Sequence, residues 1–123
     1  MSNILEINDV TVMYGKSVAI HDISLKVPEG KIVTMVGANG AGKSTTLKAL
    51  AGIVPVTKGS IRFQGEELVG QPTQEIVRKG LVLVPEGRHL FPYLSVYKNL
   101  QLGATLRTDR EGIQEDLEYI YQL

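Results

Sequence analysis

Between Gly37 and Ser44 the chain reads Gly-Ala-Asn-Gly-Ala-Gly-Lys-Ser, a full match to the pattern G-x-x-x-x-G-K-[ST]. A polyphosphate needs what this spacing supplies. The glycines let the backbone bend so that several N–H groups converge on one anion, and no Cβ blocks the approach. A helix is expected to open at Lys43, turning its free N–H groups and positive dipole end toward the same anion. Lys43 adds a mobile point charge for the β- and γ-phosphates, and the Ser44 hydroxyl is a suitable Mg²⁺ ligand.

The flanks have the character such a loop requires. Lys31-Ile-Val-Thr-Met-Val36 is an apolar, β-branched run, expected to be the buried strand that feeds the loop. Leu47, Leu50, Ala51 and Val54 recur at helical spacing, and Gly52 and Pro55 follow as stop signals. Leu81-Val-Leu-Val84, bounded by Gly80 and Pro85, reads as a second strand buried on both faces.

Around these runs the chain is expected to begin with two strands, Ile4–Tyr14 and Ser17–Val27, with Pro28-Glu-Gly30 as the turn into the loop strand. Gly59–Phe63 reads as a short strand, Gly65–Glu67 as a turn, and Pro72–Lys79 as a short helix ending at Gly80. Ser95 and Asp109 are expected to cap two further helices. The last carries Ile113, Leu117, Ile120 and Tyr121 on one face, and that apolar stripe reaches Leu123 without a stop signal. The expectation is that sequence is missing beyond it.

Composition narrows the function classes. Among 123 residues, 13 bases balance 13 acids, so nothing favours long-range attraction to nucleic acid or anionic lipid. There is no cysteine, hence no disulfide framework and no thiolate metal site; a reducing cytoplasm is permitted. No apolar run approaches the ~20 residues that span a bilayer. Residues 109–123 carry five acids against the single base Arg110, which reads as the solvated face of a helix. Glu66-Glu67 and Arg78-Lys79 read the same way. His21 and His89 have no partner at a useful spacing and read as surface or satisfied histidines.

The sequence resembles the nucleotide-binding domain of ABC-transporter ATPases. Val12-Met-Tyr-Gly15 places Tyr14 23 residues before Gly37, where that family carries an aromatic that stacks on adenine. The resemblance gives Tyr14 that role, with Val18 as an apolar neighbour, and a ring at a strand end suits a flat base. It assigns nucleotide contacts to Gly37, Asn39, Gly40, Ala41, Gly42, Lys43, Ser44 and Thr45. Asn39 falls toward the γ-phosphate and Thr45 toward the α-phosphate. In the segment after Leu81-Val-Leu-Val84, Glu86 stands where the family usually has a Gln that meets Mg²⁺ and the attacking water. Glutamate is also an oxygen ligand, though its charge would repel a γ-phosphate unless the metal lay between them. Ser44 and Glu86 are therefore the metal ligands the resemblance implies, with ATP and Mg²⁺ as the cofactors.

Pro85-Glu-Gly-Arg88 followed by Phe91-Pro92 is the variant associated with ATPases of branched-chain amino-acid importers. The wording of Val36–Thr45 and Tyr119–Leu123 is similar to theirs. Importers of urea and short amides are the closest alternative and more often keep the Gln. The implied fold is α/β: the N-terminal part of a P-loop NTPase core, with an antiparallel β lead-in and the start of a helical subdomain. Residues 1–94 would be part of the ATP-binding core and 95–123 the start of the helical subdomain, with the C-terminal half missing. The Leu-Ser-Gly-Gly-Gln signature, the second-strand Asp, the catalytic Glu and the switch His are not in the sequence, so Lys43 is the only residue here tied to catalysis. The resemblance implies a second ATP-binding subunit and membrane permease subunits as partners, no nucleic acid, and a cytoplasmic position on the inner face of the cell membrane.

Two other classes remain open at this point. A GTPase would need an Asn-Lys-x-Asp guanine reader, which is absent, and a small-molecule kinase would need a lid rich in Arg. A truncated module that binds nucleotide without hydrolysing it fits the same motifs.

Overall fold

Alternating apolar residues build the first two strands, β1 (Asn3–Tyr14) and β2 (Ser17–Pro28), joined by a two-residue turn in which Gly15 takes φ 60°. The computed structural model describes residues 2–37, 42–87 and 89–123. In β1 the buried apolar positions are Leu5 and Ile7, then Val10 and Val12, so the alternation slips by one residue between them. A bulge at that slip restores both halves to the core face. Asp9 sits in it at φ 51°, donates its N–H to Ser24 Oγ (3.0 Å) and accepts from the same hydroxyl on its carboxylate (3.2 Å).

The strand β3 (Lys58–Phe63) pairs with the other edge of β1, and the two-residue β4 (Glu66–Glu67) pairs with β3. All pairings are antiparallel, in the order β2-β1-β3-β4. Gly59, at φ 102°, lies against the bulge; a Cβ there would stand 2.4 Å from the Asp9 carbonyl oxygen. The turn expected at Gly65–Glu67 is shifted: Gln64 and Gly65 turn the chain, and Glu66 and Glu67 form β4. Nor are these two acids merely a solvated face. Glu67 accepts from the Ile61 backbone N–H (2.9 Å) and Glu66 pairs with Lys79. A carboxylate thus occupies a donor on the edge of β3.

One face of the sheet carries the core. Ile7, Val10, Val12 and Ile61 are almost wholly buried, and the cluster continues into α1 (Lys43–Leu50) through Ala49 and Leu50 and into α2 (Thr73–Arg78) through Ile76. Pro72 is the N-cap of α2, in extended backbone one residue ahead of the first turn expected to hold it, and Lys79 is the C-cap.

Two expected strands are not formed. Lys31–Val36 and Leu81–Val84 have no regular structure; Ile32 and Val36 are 94% and 93% exposed, and Val84 is 87% exposed. Apolar, β-branched composition favours an extended chain, but a strand exists only where a neighbour pairs its N–H and C=O groups. Neither run has such a ladder among the described residues. Leu81 still packs on the core from one side.

The chain divides into two compact units, Met1–Leu83 and Val84–Leu123. The second contains α3 (Val96–Gly103) and α4 (Arg110–Gln122). Ser95 caps α3 as expected, accepting from the Lys98 N–H at 3.1 Å. Asp109 holds the N-cap position of α4, but its side chain makes no cap hydrogen bond. Its two oxygens are taken by Arg107, from Nε at 3.0 Å and Nη2 at 2.6 Å. A bidentate guanidinium outcompetes neutral backbone donors for a carboxylate.

Candidate phosphate-binding site

The start of α1 is built from the residues the motif requires. Gly42 is its N-cap, in the left-handed region at φ 94°. A Cβ at Gly42 would lie 2.4 Å from Ile20 Cγ2 on β2, so both the backbone conformation and the packing call for glycine. Thr46, 2% exposed, turns its hydroxyl back to the Gly42 carbonyl (2.7 Å), which also accepts the Thr46 N–H (2.9 Å). That double contact fixes the first turn. Sequence reasoning passed over Thr46 and Ile20; the only signal was a threonine four residues after a motif glycine.

Among the described residues no side-chain hydrogen bond caps α1, and its first turn holds no acid, so that turn carries no counter-charge to the positive end of the helix dipole. Lys43, the first helical residue, folds back to donate its ammonium to the Gly37 carbonyl at 2.5 Å. The Lys43 side chain therefore joins the two ends of the motif. Thr45 is half-buried beside Lys43, and Ser44 is exposed. Asn39, Gly40 and Ala41 lie outside the described residues. The cradle that a Cβ would fill, the uncapped helix start and the adjacent ammonium fit a polyphosphate anion.

A divalent cation fits the same place in a limited way. Among the described residues there is no group of three or more His, Cys, Asp or Glu able to hold a metal. Mg²⁺ is commonly held by one or two protein oxygens completed by phosphate and water. The Ser44 hydroxyl is such a donor. Glu86 is exposed and belongs to the second unit, while Ser44 belongs to the first.

Tyr14 ends β1 opposite Ser17, 50% exposed, with Val18 beside the turn 54% exposed. It lies on the hairpin whose second strand carries Ile20, in the same unit as α1. His21 is exposed 3.2 Å from the Asp22 carboxylate. No helix among the described residues is long and apolar enough to cross a membrane.

Comparison with known proteins agrees with this geometry. Residues 20–122 match the ABC transporter family. The high-affinity branched-chain amino acid transport ATP-binding protein BraG of Pseudomonas aeruginosa is 46% identical over 97% of this chain and 51% of its own length. The corresponding protein BraF of the same organism is 40% identical over 79% of this chain and 38% of its own. The chain spans about half the length, or less, of these curated relatives. Among solved structures, an ATP-binding subunit of an ABC transporter superposes with a TM-score of 0.75 at 29% identity, covering 88% of this chain and 45% of that one. The cbiO1 protein of Clostridium perfringens, at 22% identity, shares the fold with a TM-score of 0.75 over 97% of this chain and 49% of its own. A glycine-seated helix start, a lysine on its first turn and a family match across most of the sequence lead to one assignment: this chain belongs to the ABC transporter family.

Proposed function

We propose that the chain binds Mg-ATP through residues 37–45 and, within a larger ATP-binding subunit, serves ATP-driven import of branched-chain amino acids. The observation that carries the reading is the start of α1, where Gly42 at φ 94° seats an uncapped helix end beside the Lys43 ammonium. The named function of the two Pseudomonas relatives supports the substrate class.

In this reading Gly37, Gly40, Ala41 and Gly42 belong to the nucleotide contacts, and the β-phosphate meets backbone N–H groups of the loop. Lys43 exchanges the Gly37 carbonyl for β- and γ-oxygens. Asn39 reaches the γ-phosphate side, Thr45 the α-phosphate, and Tyr14 stacks on the base. Ser44 and Glu86 are the protein's metal ligands; when bound, Mg²⁺ neutralises charge on the β- and γ-phosphates. Residues 1–94 supply part of the ATP-binding core and 95–123 begin the helical subdomain. A second ATP-binding subunit and membrane permeases complete the assembly on the inner face of the cell membrane. Hydrolysis needs a water-activating group that this sequence does not contain, so the chain by itself binds ATP without turning it over.

Calorimetric titration with Mg-ATP tests the reading. Lys43→Ala removes a charge-assisted contact worth ~1.5–3 kcal/mol and is expected to weaken binding about ten- to a hundredfold. Equal affinity of variant and parent would overturn it.

A further inference from the structure

Gly42 does not rest on the loop alone; it rests on Ile20. A Cβ at position 42 would stand 2.4 Å from Ile20 Cγ2 and 3.6 Å from the Ala19 carbonyl oxygen. Ile20 is 4% exposed and belongs to the core cluster that includes Ala49 and Leu50 of α1. Across the hairpin it faces Val12, two residues before Tyr14. One side chain thus lies under the start of α1 and is paired with Val12, on the strand that ends at the residue read as the base platform.

We propose that Ile20 is a positioning residue for nucleotide binding: its β-branched methyl sets the seat of α1 relative to the hairpin end that carries Tyr14. The inference rests on the reading of residues 37–45 and Tyr14 as nucleotide contacts. A β-branched side chain is stiff at χ1, so Cγ2 is held in one place beneath Gly42. Valine keeps that methyl. Leucine, of equal volume, carries its branch one carbon further out and leaves no methyl on Cβ. A ligand joined from base to phosphates must meet both contacts at one spacing, whereas its separate halves need not.

The test compares the parent chain with Ile20→Val, Ile20→Leu and Ile20→Met, titrating each with Mg-ATP, adenosine and Mg-tripolyphosphate and recording its thermal unfolding. The valine variant should match the parent for all three ligands. The leucine and methionine variants should lose about tenfold for Mg-ATP, part of the gain that linkage of two contacts provides, with the separate halves unchanged. Unchanged Mg-ATP affinity in a folded leucine or methionine variant, which lacks the methyl on Cβ, would overturn the inference. So would a parallel loss for all three ligands that tracks a lowered unfolding temperature, since that marks a general packing role. A parent that binds neither Mg-ATP nor tripolyphosphate would overturn the nucleotide reading itself, a result distinct from the loss of the Ile20 effect alone.

Discussion

The two compact units of this chain are held together by different physics. In Met1–Leu83 a bulged sheet presses Ile7, Val10, Val12 and Ile61 against α1 and α2, each nearly free of water contact. In Val84–Leu123 neither α3 nor α4 has a buried residue, and a groove of about 510 Å³ lies between them, bordered by Leu100, Ile113, Leu117 and Ile120. Polar contacts do the joining there. Asn99 alone receives the Phe91 N–H on its Oδ1 (3.0 Å) and donates to the carbonyls of Phe91 (3.1 Å), Leu94 (3.3 Å) and Ser95 (2.9 Å). Arg107 grips Asp109 with two nitrogens and reaches Asp116 with a third at 2.6 Å. Gly112 makes room for that grip, since a Cβ there would stand 2.2 Å from the Asp109 carboxylate. The lesson is that apolar burial sets the position of α1, whereas side-chain hydrogen bonds set the shape of the α3–α4 unit.

The sharpest way to break the contrast is to empty the core of the first unit. Ile61→Ala should cost ~2–5 kcal/mol, the range for truncating a wholly buried aliphatic side chain. Chemical denaturation followed by circular dichroism measures it, and a loss below about 1 kcal/mol would contradict the packing described. A smaller and local effect is expected in the second unit. Asn99→Ala removes four backbone contacts, all at the surface, and should cost ~1–2 kcal/mol. Amide hydrogen exchange should show the Phe91 N–H losing protection while Ile61 keeps its own.

The smallest effect comes from acid. The Arg107 guanidinium holds the Asp109 carboxyl below the usual carboxylate range, chiefly by hydrogen bonding. A carboxylate whose pKa is depressed in the folded state contributes stability above its unfolded pKa and loses it as pH falls through the folded value. The α3–α4 connection should therefore hold unchanged from pH 7 to 5 and loosen only below the ordinary carboxylate range. Exchange of the α4 amides against pH reads this directly, and loosening near neutrality would show that another group controls it.

How much of this was legible in the sequence follows from how local each feature is. The start of α1 at Lys43 and the Ser95 cap each depend on residues within a turn of one another, and they stand where the pattern puts them. The bulge at Asp9 was written as a slip from Leu5 and Ile7 to Val10 and Val12, yet its meaning needs the register of three strands. Lys31–Val36 and Leu81–Val84 failed as strands because pairing is a property of two chain segments, and composition describes only one. The Asp109 cap failed because Arg107, two residues away, holds the carboxylate by a contact that helix-start rules do not consider. Of the site, the glycine and the lysine were legible; their seat on Ile20 was not, because it joins residues 22 positions apart.

The central claim is that the glycine-seated start of α1 receives a nucleotide's phosphates. The most direct measurement is a titration of the isotopically labelled chain with Mg-ATP, followed by backbone amide NMR. The account predicts saturable shifts at Gly42, Lys43, Ser44 and Thr45, abolished in Lys43→Ala, with the amides of Arg110–Gln122 in α4 unmoved. Shifts confined to α3 and α4, or none at residues 42–45 at millimolar Mg-ATP, would contradict it.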